Sequence, residues 1–212
     1  MVFVDYDGTI TDLDTSDVLV RASVGPKRWG DLDAALYSGS MTLREVLAKQ
    51  FSYVQLSLDD AAALLDRDTA VDPGFAPFVT ACEARGIPVT VLSSGIAPLI
   101  ERRLASIGLA HLPVLANTIE MRPDGSWRMH FRDESANGHD KAAAVRAARE
   151  HGATAVFVGD GYSDFDAALV ADHRFAKRNR ALEAFLRKRG IAFTPFDTFE
   201  EISFALFDYK SV

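Results

Sequence analysis

Two aspartates, Asp5 and Asp7, stand one residue apart at the end of a short apolar run, Val2-Phe3-Val4, and Gly8-Thr9 follows them. The run reads as a buried strand and the Gly-Thr pair as a turn, so the C-terminal end of the strand presents both carboxylates to one loop. In an open α/β sheet that edge is where ligands bind. One carboxylate there can attack a phosphorus centre while its neighbour handles protons. A magnesium ion is needed to make so much negative charge compatible with an anionic substrate.

Three later segments could complete such a site. They are Val89 to Gly95, ending in Ser93-Ser94-Gly95; Asn137 to Lys141; and Val156 to Asp164, which contains Gly159-Asp160-Gly161. Each is ambiguous alone. Asp and Gly favour turns for purely local reasons. Ser93-Ser94-Gly95 suits a helix cap as well as a phosphate cradle, and a lone lysine such as Lys141 is ordinarily a solvated helix residue. Ser94 and Gly95 are expected to open a helix whose free backbone amides suit an anion. His139 reads as a helix-start residue, because the histidines show no metal-ligand spacing.

The elements that must position these groups follow from periodicity. Residues from about Thr15 to Asp68 carry helical spacing, as in Leu43, Val46, Leu47, Phe51 and Val54, without a convincing strand. Gly25-Pro26, Ser38-Gly39-Ser40 and Leu56-Ser57 divide this block into short helices. Thr42 with Glu45 forms a capping box. After Asp72-Pro73-Gly74 the rhythm becomes strand-helix alternation. Strands are expected over Ile87–Ser93, Leu112–Met121, Trp127–Phe131, Ala155–Gly159, near Arg174–Ala176 and over Ile191–Pro195. Helices are expected up to Arg85, over Ala97–Ile107 and His139–His151, from Ser163, over Leu182–Lys188 and from Phe199. Alternation of this kind implies an α/β fold with a mostly parallel sheet covered by helices. The helical block, 15–71, is then an insertion after the first strand, and 1–14 with 72–212 form the α/β core.

Bulk composition narrows the partners. A chain of 212 residues, 48% hydrophobic and 25% charged, has ample material for one core with an insertion. Its net charge of -7 and lack of a basic stripe argue against nucleic acid as a partner. No apolar segment reaches membrane-spanning length, and no signal peptide opens the chain, so a cytoplasmic location is expected. Cys82 stands alone and reads as an inert buried thiol.

The segments, in this order, resemble the haloacid dehalogenase superfamily of phosphohydrolases. Its motifs are Asp-x-Asp-Gly-Thr, a Ser or Thr ending a strand, a Lys, and Gly-Asp-Gly-x-x-Asp. Here they match Asp5 to Thr9, Ser93, Lys141, and Gly159 to Asp164. The resemblance implies a Rossmann-like core and a magnesium-dependent phosphomonoesterase. Asp5 is then the nucleophile that forms an aspartyl-phosphate, and Asp7 the general acid and base. Mg2+ is held by the Asp5 carboxylate, the Asp7 carbonyl and the Asp160 carboxylate, with Asp164 in the outer shell. Ser93 donates to a phosphoryl oxygen, Lys141 neutralises charge between Asp5 and the phosphate, and Ser94 and Gly95 offer amides.

A small helical cap after the first motif marks the branch containing phosphoserine phosphatases and the methionine-salvage phosphatases. The latter are the nearer resemblance, on Val71–Val79, Ile87–Gly95, His173–Lys177 and Phe193–Ile202. Two stretches depart from the salvage pattern: Ser135–Asp140 lacks its cysteines, and Ser93-Ser94-Gly95 replaces Ser-Gly-Gly. Phosphoserine phosphatases place a Glu after the first motif and an Arg in the cap, where this chain has Asp14 and Gln50. Gln50 cannot offer the charged fork that Arg gives a carboxylate. The expected substrate is therefore a small phosphorylated metabolite, most like the methionine-salvage ester. Phosphoserine is the alternative. A phosphomutase, a dehalogenase and a non-catalytic binding relative are the remaining rivals.

Overall fold

In the computed structural model, which describes residues 1–208, seven strands form one sheet in the order β4-β3-β2-β1-β5-β6-β7. They are β1 (Val2–Asp5), β2 (Val89–Ile96), β3 (Val114–Met121), β4 (Trp127–His130), β5 (Val156–Gly159), β6 (His173–Lys177) and β7 (Thr194–Phe196). Every pairing is parallel except β3 with β4, a hairpin at one edge. β1 lies at the centre between β2 and β5, so the chain winds outward in both directions from it. That reversal opens a crevice at the C-terminal ends of β1, β2 and β5.

Alternation along the central strands builds two core layers. Val2 and Val4 of β1 and Val156 and Val158 of β5 point into one cluster with Phe75, Phe78, Ile100 and Phe199. Phe3 and Phe157, one residue out of phase, join the opposite cluster with Val145, Leu182 and Leu186. Helices α4 (Phe75–Glu83), α5 (Ala97–Ser106) and α9 (Phe199–Ser203) thus cover one face. Helices α6 (Lys141–Glu150), α7 (Phe165–Val170) and α8 (Ala181–Arg189) cover the other. Cys82 is buried in the first layer, and burial pushes its thiol up to about 11, which keeps it protonated.

Between β1 and α4 lie α1 (Thr15–Tyr37), α2 (Leu43–Phe51) and α3 (Leu58–Asp68). Their apolar faces form a third cluster around Phe51, Val54 and Leu65. The β3–β4 hairpin contributes to it: Trp127 stacks on Phe51 at 6.1 Å and donates from Nε1 to the Leu56 carbonyl at 2.7 Å. As expected, Gly25-Pro26 interrupts α1, whose two helical halves meet across a kink with Gly25 at φ 75°. A residue before proline resists helical geometry, and glycine takes the left-handed alternative at little steric cost. The Thr42–Glu45 capping box is present.

Several boundaries differ from the periodicity. Strand β2 runs on to Ile96, so Ser94 and Gly95 lie in the strand and α5 opens only at Ala97. A bulge between Leu92 and Ile96 accommodates this extension while β3 pairs alongside. His139 precedes its helix, which is capped by Asp140 accepting from the Ala143 amide at 3.0 Å. The segment from Ser163 begins with a tight turn, Tyr162–Asp164, before α7. Strands β3 and β7 begin later than expected, at Val114 and Thr194. No helix among the described residues is long and apolar enough to cross a membrane.

Candidate active site

The first carboxylate is set by strand register. Asp5 is the last residue of β1, paired with Leu92 of β2, and is almost wholly buried. The chain then makes a wide turn, Tyr6–Ile10, closed by the Thr11 amide donating to the Tyr6 carbonyl at 3.1 Å. The turn needs Gly8: its φ is 75°, and a Cβ there would meet Asp160 Oδ2 at 2.5 Å. Asp7 projects from this turn. Its Oδ1 accepts from the Thr15 amide at 3.1 Å and from the Thr15 hydroxyl, and its Oδ2 accepts from Ser93 Oγ at 3.0 Å.

Lys141 enters from the first turn of α6 and is 1% exposed. Its Nζ donates to Asp5 Oδ1 at 2.5 Å, to Asp164 Oδ1 at 2.7 Å and to Ser163 Oγ at 3.0 Å. Asp164 Oδ2 accepts from the Asp160 and Gly161 amides, both at 2.9 Å. Both oxygens of Asp164 are therefore engaged by the protein, and it holds the loop that carries Asp160. Asp160 follows β5, and its Oδ1 accepts from Thr9 Oγ1 at 3.4 Å.

The electrostatics are those of a site with too much negative charge. Burial raises the Asp5 carboxyl well above its ordinary value, and Asp164 raises it further, against the downward pull of Lys141. Burial and Asp164 push Asp160 up to about 7. Burial opposes the charge on Lys141, yet Asp164 and Asp5 together hold its ammonium above the ordinary lysine value. Carboxylate oxygens of Asp5, Asp160 and Asp164 lie within 4.8 Å of one another. Clustered hard oxygens destabilised by mutual repulsion fit a hard divalent cation. Since Asp164 is already engaged, Asp5 and Asp160 are the carboxylates that could hold such a cation.

A cavity of about 280 Å³ opens over this cluster. Asp5, Asp7, Ser94, Gly95, Asp160 and Arg180 line its floor; Asp14, Asp17, Asp33, Tyr37, Leu47 and Gln50 line the side formed by α1 and α2. Of the residues expected at the site, Asp5, Asp7, Ser94, Gly95, Asp160, Asp14 and Gln50 meet at this one cavity, with Lys141 and Asp164 sealed beneath it. Ser93 differs from expectation. It is fully buried, and its hydroxyl bridges the Gly95 amide at 2.8 Å and Asp7 rather than facing the cavity. Ser94, next along the extended strand, lines the cavity, with its hydroxyl donating to the Asn137 carbonyl at 3.4 Å. Gly95 leaves room for this arrangement, since a Cβ there would meet Asp7 Oδ2 at 2.7 Å.

Thr15, Asp17, Asp33 and Arg180 also meet at the site, outside the four sequence motifs. Thr15 and Asp17 carry a signal that could have found them, because the first turn of a helix directly after the Asp5–Asp7 loop must face that loop. Asp33 has none, since it reaches the cavity only through the kink at Gly25. His139, buried beside Lys141, donates from Nδ1 to the Ser93 carbonyl at 3.0 Å. Burial lowers its imidazole below the ordinary value. It stands just before the cap of α6, near the helix start expected of it, and there supports strand β2.

The comparisons agree with this geometry. The family model of the haloacid dehalogenase-like hydrolases matches residues 2–169. The chain is 36% identical to the Pdp3-interacting factor 1 of Schizosaccharomyces pombe, over 95% of this chain and 92% of that protein. It is 27% identical to the polyol phosphate phosphatase PYP1 of Saccharomyces cerevisiae, over 95% and 90%. It is also 27% identical to a 2-hydroxy-3-keto-5-methylthiopentenyl-1-phosphate phosphatase of Brevibacillus brevis, over 95% and 92%. Among solved structures, a phospho-aspartyl intermediate analogue of phosphoserine phosphatase has a similar fold, with a TM-score of 0.73, 19% identity and 95% of each chain covered. Fold, motif order and family match together make this chain a member of the haloacid dehalogenase-like hydrolases.

Proposed function

We propose that the chain is a magnesium-dependent phosphomonoesterase that works through an aspartyl-phosphate on Asp5 and acts on a small ester whose organic part is uncharged. The observation that carries this reading is Lys141, which donates to Asp5 at 2.5 Å and to Asp164 at 2.7 Å beneath a cavity that Asp7 and Asp160 also line.

Lys141 engages Asp5 Oδ1, so Oδ2 remains to attack phosphorus. As the new P–O bond forms, the bond to the leaving oxygen breaks, and Asp7 gives that oxygen a proton. Asp7 then takes a proton from water, which attacks the phosphorus and frees Asp5. The Thr15 and Ser93 contacts hold the Asp7 carboxyl in place for both transfers. A magnesium ion bound by Asp5, Asp160 and the Asp7 carbonyl would offset the charge between nucleophile and phosphate.

The organic end of the substrate faces α1 and α2. Among the described residues no arginine or lysine of the cap lines the cavity, and the family resemblance puts Gln50 at the position of the phosphoserine phosphatase arginine. Both features support a neutral ester over phosphoserine. The names of the Saccharomyces and Brevibacillus relatives offer two such esters, a polyol phosphate and the methylthiopentenyl phosphate. A screen of small phosphate esters with added magnesium tests the reading. Turnover should appear on neutral esters, cease with EDTA and return with magnesium. Absence of turnover across the panel would leave a binding role for the fold instead.

A further inference from the structure

A phosphoryl group attacked by Asp5 must sit on the floor of the cavity, yet the side chains expected to receive it are already engaged. An ammonium has three N–H groups. Lys141 gives them to Asp5 at 2.5 Å, to Asp164 at 2.7 Å and to Ser163 at 3.0 Å. It therefore offsets charge without an N–H left for a phosphoryl oxygen. The Ser93 hydroxyl donates to Asp7 at 3.0 Å, and the Gly95 amide donates to Ser93 Oγ at 2.8 Å. The Ser94 hydroxyl donates to the Asn137 carbonyl at 3.4 Å. Asp5, Asp7, Asp14, Asp17, Asp33 and Asp160 meanwhile line the cavity, so an incoming phosphate dianion meets charges of its own sign.

Arg180 is the only cationic side chain lining this cavity among the described residues. It stands at the start of α8, where the Leu182 amide donates to the Asp160 carbonyl at 2.8 Å. Its Nη2 donates to the Asp12 carbonyl at 3.3 Å, the one hydrogen bond of its guanidinium among the described residues. The side chain is thus bracketed between the Asp160 loop and the segment that follows the Asp5–Asp7 turn, on core elements rather than on the cap. A guanidinium carries five N–H donors in a planar fork that matches two oxygens of a phosphate. Arg180 is exposed and keeps most of that fork for a ligand.

We propose that Arg180 donates to the phosphoryl oxygens of the substrate, where Lys141 and Ser93 have no donor left to give. The proposal rests on the phosphatase reading above, adds a substrate-binding residue to the same site and requires no particular organic group.

The test measures kcat/KM for p-nitrophenyl phosphate and the Ki of inorganic phosphate as a competitive inhibitor, both of which report the phosphoryl contact. Arg180→Gln should lower the first and raise the second by about tenfold or more, the worth of one hydrogen bond to a charged group. Arg180→Lys keeps the charge without the fork and should shift both several-fold; it carries the comparison if Arg180→Gln does not fold. The losses should persist in about 0.5 M salt, because a direct contact is screened far less than attraction at a distance. Unchanged values in the folded variants overturn the proposal and leave the phosphatase reading standing. Losses that vanish in salt overturn it too, since they reduce Arg180 to steering. So does a loss confined to O-phosphoserine, which would place Arg180 at the organic end. A wild-type protein that turns over no ester overturns both readings.

Discussion

At the floor of the cavity Lys141 is 1% exposed and clamped between Asp5 and Asp164. At the cap wall the cation, Arg21, is exposed and stacks over Trp29, whose indole donates to Asp17. Both regions concentrate aspartates, but only the floor buries its counter-charge. A sealed ion pair in low dielectric has one good geometry, and losing either partner leaves an unpaired buried charge. A solvated pair tolerates rearrangement and contributes little by itself. The floor is therefore built for one chemistry, whereas the wall can change with the substrate. Their supports differ in the same way. Strand register and the Asp164 loop position the floor, while a kinked helix and the Trp127 hairpin contact position the wall.

This contrast can be broken at four points. The largest effect belongs to Asp5→Asn, which should lose on the order of 10⁴-fold or more in kcat on every ester, because a neutral amide is a poor nucleophile. Circular dichroism should remain that of the wild type. Near-normal turnover in the pure variant would remove Asp5 from the mechanism.

Asp7→Asn should cost about 10²–10⁴-fold, the usual worth of general acid-base help. Esters with poor leaving groups should suffer most, and p-nitrophenyl phosphate least, since its leaving group needs no proton. Equal losses across leaving groups would mean that Asp7 is not the acid.

Trp127→Ala probes the support of the wall. Removing this fully buried side chain should lower unfolding stability by about 3–5 kcal/mol in urea titration. A cost well under 1 kcal/mol would show that the hairpin does not hold the cap.

The smallest effect concerns pH. Burial lowers the His139 imidazole, so below about pH 6.5 the unfolded chain binds a proton that the folded protein does not. Stability is intact above that value and falls as pH drops beneath it, by at most about 1.4 kcal/mol per pH unit. His139→Gln should flatten this slope between pH 7.5 and 5.5, as followed by urea midpoints. An unchanged slope would assign the acid sensitivity to other groups.

Much of the floor is legible in the sequence. Asp5, Asp7, Lys141 and Asp160 stand at strand ends or helix starts, where local pattern places them within a residue or two. Ser93 shows the limit of that logic. Its type and position at the end of an apolar run were plain, but β2 continues to Ile96 through a bulge that interrupts the alternation, and the hydroxyl donates to Asp7. The block of three helices was legible from its spacing, and so was the break at Gly25-Pro26. That the break would return Asp33 and Tyr37 to the cavity was not, because the angle of a kink is set by what each half packs against.

The sequence alone determined the elements, the alternation that stacks two layers on one sheet, and the identity of the groups at the ends of its central strands. These are short-range matters of side-chain period, turn chemistry and residue type. Tertiary structure decided which acids share a cation, which hydroxyl faces the cavity and which face of the cap forms its wall. Those outcomes depend on contacts between residues far apart in the chain, such as Lys141 with Asp5, Trp127 with Leu56 and Ser93 with Asp7. Their geometry exists only once the sheet has closed and the cap has packed, because no local pattern encodes a distance across the fold.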